Sequence, residues 1–517
     1  MTSSHESGNH CPVQAPTADI GLLLEGTYPY IRGGVSSWVH QIITGLPEFT
    51  FALVFLGGQK SDYGEMQYEL PPNVKHLEVH YLMDSWQESK PVKRAGNREA
   101  FADVSIMQEQ FKRDAASVPR DLLARVFENL GKEGGITHAD FLHSEASWEV
   151  ITDKYLKFCT GPSFVDYFWT VRTMHAPLFT LAKIADHMPS VRAIHSVSTG
   201  YAGLLGSILQ SRRNYPYVLT EHGIYTKERK IDLAQAGWIK DPQEELSVTL
   251  HADSGYIREM WIRFYEVIGT LAYQAANPIV SLYEGNRERQ VQDGAQRERT
   301  RVVPNGISLE RFESVLTARP ATLPKVLGLI GRVVPIKDIK TFIRAMRSIC
   351  NEMPDAEGWI VGPEDEDPQY VQECRELVAS LGLEDRVKFL GFQNIADIIP
   401  QLGLMVLTSI SEALPLVILE AYASGLPCLA TDVGSCRELI EGQNEEDRGL
   451  GPAGAVVPIA DPDATADAAL RLLRDDQLWH QAQSAGLERV RRYYTQSKMF
   501  DSYREIYRQT LEQSWPA

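Results

Sequence analysis

The sequence has little that would carry a chain into a membrane, out of the cell or onto nucleic acid. No run approaches the ~20 consecutive apolar residues of a spanning helix. Residues 1–19 are polar and lack an apolar signal core, and 1–17 read as disordered. Cysteine is scarce: six, at positions 11, 159, 350, 374, 428 and 436, with no CxxC pair and no zinc-ligand spacing. That usage argues against a disulfide framework or a zinc module and implies a reduced, cytoplasmic compartment. Basic charge is in deficit. The formal net charge of −17 argues against nucleic acid and anionic membrane surfaces as general partners, and leaves room for a local basic pocket. Attachment at a membrane would need a partner protein.

What is present is an ordinary globular composition, 44% hydrophobic over 517 residues, long enough for two domains with separate cores. Short apolar runs alternate with helical patterns, the signature of an α/β chain. Strands are expected at 20–24, 51–56, 193–196, 217–220, 277–281, 326–330 and 402–407, a strand and turn at 358–362 and a strand and loop at 387–393, with 302–307 closing the first domain. Residues 60–160 are charged and aromatic with several helical patterns, and read as a helical insertion in the first domain. The expected division is 1–308 for the first domain, 309–324 for a linker with Pro320 and Pro324, 325–490 for the second domain, and 491–517 for a last amphipathic helix.

The stretch from Leu402 to Glu420 organises the second half. An apolar strand leads into the polar turn Thr408-Ser409-Ile410-Ser411-Glu412-Ala413-Leu414. Pro415 then suits the first position of a helix that runs through Leu416. Glu412 precedes the helix and Glu420 lies about a turn and a half inside it, roughly 10 Å away along one edge at ~1.5 Å per residue. Free backbone N–H groups and the positive end of a helix dipole lie between them. Such an edge suits a ligand with hydroxyls at both ends and phosphates between. Two solvated glutamates on a strand–turn–helix would give the same string.

Other stretches carry weaker signals. Gly33-Gly34 stands between a strand and a helix, where backbone N–H groups can meet a phosphate, and where a tight turn is the plainer use. Gly331-Arg332 and Lys337 follow a strand with two cations five residues apart, an oxyanion site or two surface cations. Gly391-Phe392 ends a strand and could flank a base; a buried phenylalanine is the alternative. His222 follows a strand's carboxyl end, where open α/β sheets bind ligands, or it caps a turn. Tyr225 and Lys227 come next. Asp365-Glu366-Asp367 offers an Asp-x-Asp, which solvation of an acidic loop explains, so no metal is expected.

The pair Glu412-x7-Glu420, followed by Ala-Tyr-Ala-Ser-Gly-Leu-Pro-Cys-Leu-Ala-Thr-Asp-Val-Gly at 421–434, resembles the retaining glycosyltransferases of family 4. The string from Glu25 to Trp38 is similar to the narrower family of cytoplasmic enzymes that make Pel exopolysaccharide. The resemblance implies a GT-B fold, two Rossmann-like domains facing across a cleft, with the last helix crossing back to the first. It implies transfer of a hexose from a UDP-sugar, UDP-glucose foremost, to a growing polysaccharide or lipid-linked acceptor, possible recruitment to an inner-membrane Pel synthase complex, and no cofactor. On that resemblance Glu412 contacts the donor sugar and Glu420 the ribose. Arg332 and Lys337 stabilise the diphosphate in place of a metal, and His222 touches the transferring sugar. Gly33, Gly34, Gly331, Gly391, Phe392, Ala413, Leu414, Pro415 and Leu416 complete the donor site, and Tyr225 and Lys227 line the acceptor side. Four departures stand out: Ala413 where the family usually has Gly, Ser435 where a second Gly usually follows Gly434, Asp338 where Gly usually follows the lysine, and Ser308 where the family often has Asp. A hexosyltransferase using a GDP- or ADP-sugar, and a non-catalytic nucleotide-sugar-binding subunit, are the competing readings.

Overall fold

A computed structural model describes residues 16–84, 92–113, 118–159, 161–235 and 255–513. The expected disorder of 1–17 lies almost wholly outside the described residues. The chain forms two compact units: Met1–Val280 with Gln290–Arg301 and Arg504–Ala517, and Ser281–Arg289 with Val302–Tyr503.

The first unit is built on β1 (Ala18–Glu25), β2 (Phe51–Gly57), β3 (Val74–Tyr81), β4 (Val191–Ser196), β5 (Tyr217–Glu221), β6 (Ile279–Ser281) and β7 (Thr300–Val302), in the order β3-β2-β1-β4-β5-β6-β7. Pairs from β3 to β5 run parallel. Helices cover both faces of a parallel sheet, so β1 and β2 are nearly continuous apolar runs and are buried almost throughout. The edge strand β3 alternates instead. Within it Glu78 lies between His76 and His80, 3.0 Å from a ring nitrogen of each. Residues 60–160 therefore differ from the expected helical insertion: Val74–Tyr81 extends the sheet, and the helices begin at Arg98. The helices Arg98–Arg113, His138–His143, Glu145–Phe158 and Phe164–His187 gather their own core around Phe101, Phe141, Ile151 and Val171, while Arg120–Asn129 packs Leu122 and Val126 into the sheet core.

The last helix, Gln496–Gln513, is shared between the two units. Its second half packs on the first sheet. The Tyr507 hydroxyl meets buried His195 Nδ1 at 2.8 Å, and His195 Nε2 meets Thr220 Oγ1 at 2.8 Å. Phe49 and Phe51 stand edge-on to the Tyr507 ring.

The second unit holds β8 (Val326–Ile330), β9 (Glu357–Val361), β10 (Val387–Gly391), β11 (Leu404–Leu407), β12 (Cys428–Thr431) and β13 (Gly454–Val457), ordered β10-β9-β8-β11-β12-β13 with every pair parallel. Strand order reverses between β1 and β4 in the first sheet and between β8 and β11 in the second. In open parallel sheets the loops at such a reversal, past the carboxyl ends of the strands, form the ligand crevice. The loops after β8 and β11 are those that hold Lys337 and Glu412. Among the described residues, no helix is long and apolar enough to cross a membrane.

Candidate functional site

In the second unit the turn after β8 is tied to the turn after β11. Thr408 Oγ1 donates to the carbonyls of Lys337 and Asp338 at 3.0 Å each, and the Ile410 N–H donates to the Ile336 carbonyl at 2.9 Å. Lys337 lays its stem beside Gly331, where a Cβ would stand 3.6 Å from its Cε. Its ammonium then reaches Glu412 Oε1 at 2.5 Å. Ser409 Oγ donates to the same oxygen at 2.6 Å. Lys337 and Glu412 are 19% and 13% exposed, so the pair is largely screened from water yet open to a ligand.

Asp338 sits in the left-handed region at φ 44°, a backbone that favours glycine. Aspartate tolerates this backbone better than most residues, and its carboxylate accepts from Thr341 at the start of the helix Ile339–Glu352. Gly434 is held more tightly. Its φ is +54°, and a Cβ would lie 2.3 Å from the Glu412 carbonyl oxygen and 2.5 Å from that of Ala413. Only glycine fits against this turn. Ser435 is buried and its N–H donates to the Ala413 carbonyl at 2.8 Å, while its hydroxyl has no hydrogen-bond partner among the described residues.

Pro415 is the residue just before the helix Leu416–Ala423, one position earlier than the sequence pattern placed it. Glu420 is the fifth residue of that helix. Burial pushes its carboxyl up to about 7, with Arg311 pulling the other way. At the carboxyl ends of β8, β9 and β10, Gly331 donates to Val361 and Gly362 donates to Gly391, each at 2.9 Å. A Cβ on Gly362 would strike the Gly331 carbonyl at 2.0 Å. Phe392 follows, 81% exposed rather than buried, as a ring free to stack on a planar base.

Arg332 is not gathered with Lys337 and Glu412. It is half exposed and pairs with Glu366 at 2.6 Å. The neighbouring acids are also engaged: Asp367 caps the helix Pro368–Ser380 through the Tyr370 N–H, and Glu364 pairs with Arg375. No cluster of three potential metal ligands occurs among the described residues.

In the first unit, exposed Gly33 and Gly34 open the helix Gly34–Gly45, with nothing within 4 Å of a Cβ placed on either. His222 follows β5 and meets Trp38 edge-on at 4.7 Å between ring centroids. Burial lowers its imidazole to about 4, so it is neutral near pH 7. Tyr225 donates its hydroxyl to Glu25 at 3.0 Å and its N–H to Glu221 at 3.0 Å. Lys227 points to solvent. Buried Glu221 also accepts from Thr199, Tyr273 and Gln290, which fixes the loop that carries His222 and Tyr225. The sequence reading passed over Glu25, Trp38, Glu221, Ser409, Arg311 and Gly434 as site residues. Glu25, Trp38, Ser409 and Gly434 lie inside quoted motifs and could have been found, as could Glu221, which stands directly before His222. Arg311 has no pattern of its own.

Two parallel-sheet Rossmann-like units with site loops at their strand reversals define a GT-B fold. Solved structures agree. A crystal structure of Anabaena HepE in complex with UDP covers 95% of this chain and 100% of its own, with TM-score 0.57 and 16% identity. Sucrose-phosphate synthase from Thermosynechococcus elongatus covers 96% and 100%, with TM-score 0.57 and 17% identity. The chain belongs to the family described as a domain of unknown function, DUF3492, whose model matches residues 18–298, more than half of the chain. Residues 324–475 match the model described as glycosyl transferases group 1. Among curated proteins, N-acetyl-alpha-D-glucosaminyl L-malate synthase of Bacillus anthracis is 33% identical over 188 residues, 36% of this chain and 46% of that protein. Lipopolysaccharide core biosynthesis mannosyltransferase LpsB of Rhizobium meliloti is 31% identical over 201 residues, 37% and 55% respectively. The chain thus spans about half the length of these curated relatives.

Proposed function

We propose that the chain is a glycosyltransferase that moves a hexose, with retention, from a UDP-sugar to a growing Pel-type exopolysaccharide or a lipid-linked acceptor. UDP-glucose is the favoured donor. The carrying observation is the Lys337–Glu412 pair at the β8/β11 reversal, with Glu420 half-buried on the helix that follows. Without a ligand the two charges neutralise each other. A donor separates their roles: the ammonium meets the diphosphate, and the carboxylate accepts from sugar hydroxyls. Arg332 adds a second cation once its weak surface pair with Glu366 gives way. Glu420 takes the ribose diol and Phe392 flanks the base. Neutral His222 offers a hydrogen bond to the sugar, with Tyr225 and Lys227 toward the acceptor. Retention follows from front-face attack, in which the leaving phosphate oxygen takes the acceptor proton. Anabaena HepE has also been solved with UDP-glucose, which supports the choice of donor. The Rhizobium relative is named a mannosyltransferase, which keeps a hexosyltransferase with a GDP- or ADP-sugar as the second reading. The enzyme works in the cytoplasm, recruited to an inner-membrane synthase through protein partners.

Slow release of UDP from UDP-glucose by the pure protein tests catalysis, since a subunit that only binds the donor leaves it intact. Turnover is expected to survive EDTA, because cations stand where a metal would. Complete loss restored by magnesium would return Asp365 and Asp367 to consideration.

Glu420 and Glu412 should separate in binding. Glu420→Ala is expected to weaken UDP and UDP-glucose alike, by ~1.5–3 kcal/mol for a lost charged hydrogen-bond partner. Glu412→Ala should weaken UDP-glucose and spare UDP. Calorimetric titration of both ligands decides, and equal loss of UDP in the two variants would overturn the placement of sugar and ribose.

The raised carboxyl of Glu420 adds a pH dependence. Its ordinary value is 4.5 and burial holds it near 7. The stability it contributes is therefore complete below pH 4.5 and is lost as pH rises toward 7. Ribose hydroxyls donate to the ionised form, so UDP affinity is expected to rise between about pH 6 and about pH 8. Glu420→Gln should flatten that rise. A profile equally steep in Glu420→Gln would remove Glu420 from the ribose site.

A further inference from the structure

We propose that the first unit binds an anionic single-chain amphiphile in a cavity between its sheet core and the core of its helical insertion. The cavity has a volume of about 330 Å³, within the ~300–1,000 Å³ range of small-molecule sites. Val126, Ile208 and Leu271 wall it from the sheet core, and Phe101, Ile151 and Val171 from the insertion core. Native interiors keep spaces larger than a water few, and water would find few polar partners on these walls. An alkyl or isoprenoid chain would meet apolar side chains on every side.

The charges in the lining set the head group. They are Lys112, Lys154 and Arg263 against one acid, Glu259, a local cationic excess in a chain of net charge −17. Arg263 pairs with Glu259 at 2.8 Å, and Lys154, nearly buried, pairs with Glu109 at 2.5 Å. Lys112 differs. Its ammonium stands 3.6 Å from the centroid of the Phe158 ring, a weaker compensation than a carboxylate. Burial and nearby Arg263 hold it below the usual lysine range. A carboxylate or phosphate at this rim would offset that cost while its chain enters the cavity. A fatty acid and a phosphate-headed lipid share this chemistry.

The test uses the full chain with four probes below their micelle concentrations: dodecanoate, dodecyl phosphate, dodecyltrimethylammonium and butyl phosphate. Titration calorimetry is expected to show dodecanoate or dodecyl phosphate binding at least about tenfold tighter than the cationic and short-chain probes. The tighter of the two identifies the head group. Met174→Trp, which fills the cavity from its wall, should abolish binding while circular dichroism and cooperative melting stay as in the wild type. Lys112→Glu, at the exposed rim, should weaken the anionic probes about tenfold and leave the fold intact. No binding of either anionic amphiphile would overturn the proposal. So would equal affinity for dodecyltrimethylammonium, or unchanged binding in a folded Met174→Trp.

Discussion

Lys337→Ala is expected to reduce turnover by ~2–4 kcal/mol of transition-state stabilisation, roughly thirtyfold to several hundredfold in rate. Charge develops on the diphosphate as the sugar–phosphate bond breaks, and a screened cation meets it without reorganising. Lys337 is so placed, 19% exposed and fixed beside Gly331 by a turn that Thr408 holds. The substitution also strips Glu412 of its ion partner, so the carboxylate proposed to meet the sugar loses its set position. Arg332→Ala is expected in the same range, because the exposed Glu366 pair is weak and yields to a diphosphate. Steady-state rates and donor titration measure both variants. Donor affinity and turnover at wild-type levels in both would end the assignment of a phosphate site to these cations.

The second large effect is on stability. Arg489 and Asp447 form an ion pair with both side chains at 0% exposure, 2.6 Å apart. Arg489 also donates to the carbonyls of Leu439, Ile440, Asp447 and Gly451. It thereby gathers the segment 439–451, which joins the helix Cys436–Glu441 to β13. Arg489→Ala leaves a buried carboxylate without its cation and takes a donor from four carbonyls. It is expected to cost ~3–5 kcal/mol, the range for breaking a buried pair from one side. Removing both charges together, Arg489→Met with Asp447→Leu, should cost less than the single change, because no buried charge is left unpaired. Urea unfolding midpoints of the second unit decide, and a single variant as stable as the wild type would contradict the network.

Much of this was readable from residues. A strand covered on both faces must be apolar along its whole length, so Ile20–Leu24, Phe51–Leu56 and Val326–Ile330 announced themselves. The edge strand Val74–Tyr81 did not. Its charged, alternating residues lie in a segment rich in helical patterns, and an edge needs no continuous apolar run. β13 is too short, and opens on a glycine, to stand out. At the site the Glu412-x7-Glu420 spacing was legible because one short continuous stretch, a turn running into the helix Leu416–Ala423, carries both residues. The Lys337–Glu412 contact spans 75 residues and depends on which strands are neighbours, which local pattern does not encode. The left-handed backbone at Asp338 was flagged only as a missing glycine. Its remedy, a side-chain cap on the following helix, needs the coordinates of Thr341. Arg332 was grouped with Lys337 by sequence spacing, yet its side chain turns to the acidic loop because Glu366 lies within reach. The cavity of the first unit had no sequence signal, since its walls come from several separate helices.

The proposed UDP-sugar site is the β8/β11 reversal. A thermal-shift comparison of UDP-glucose, GDP-mannose and ADP-glucose on the wild-type chain tests it most directly. A donor at ~100 times its dissociation constant adds about 2.7 kcal/mol of stability. UDP-glucose should raise the melting temperature accordingly, Lys337→Ala should lose the rise, and the other two donors should give little. A rise with GDP-mannose or ADP-glucose and none with UDP-glucose, or a rise with UDP-glucose that survives Lys337→Ala in full, would contradict it.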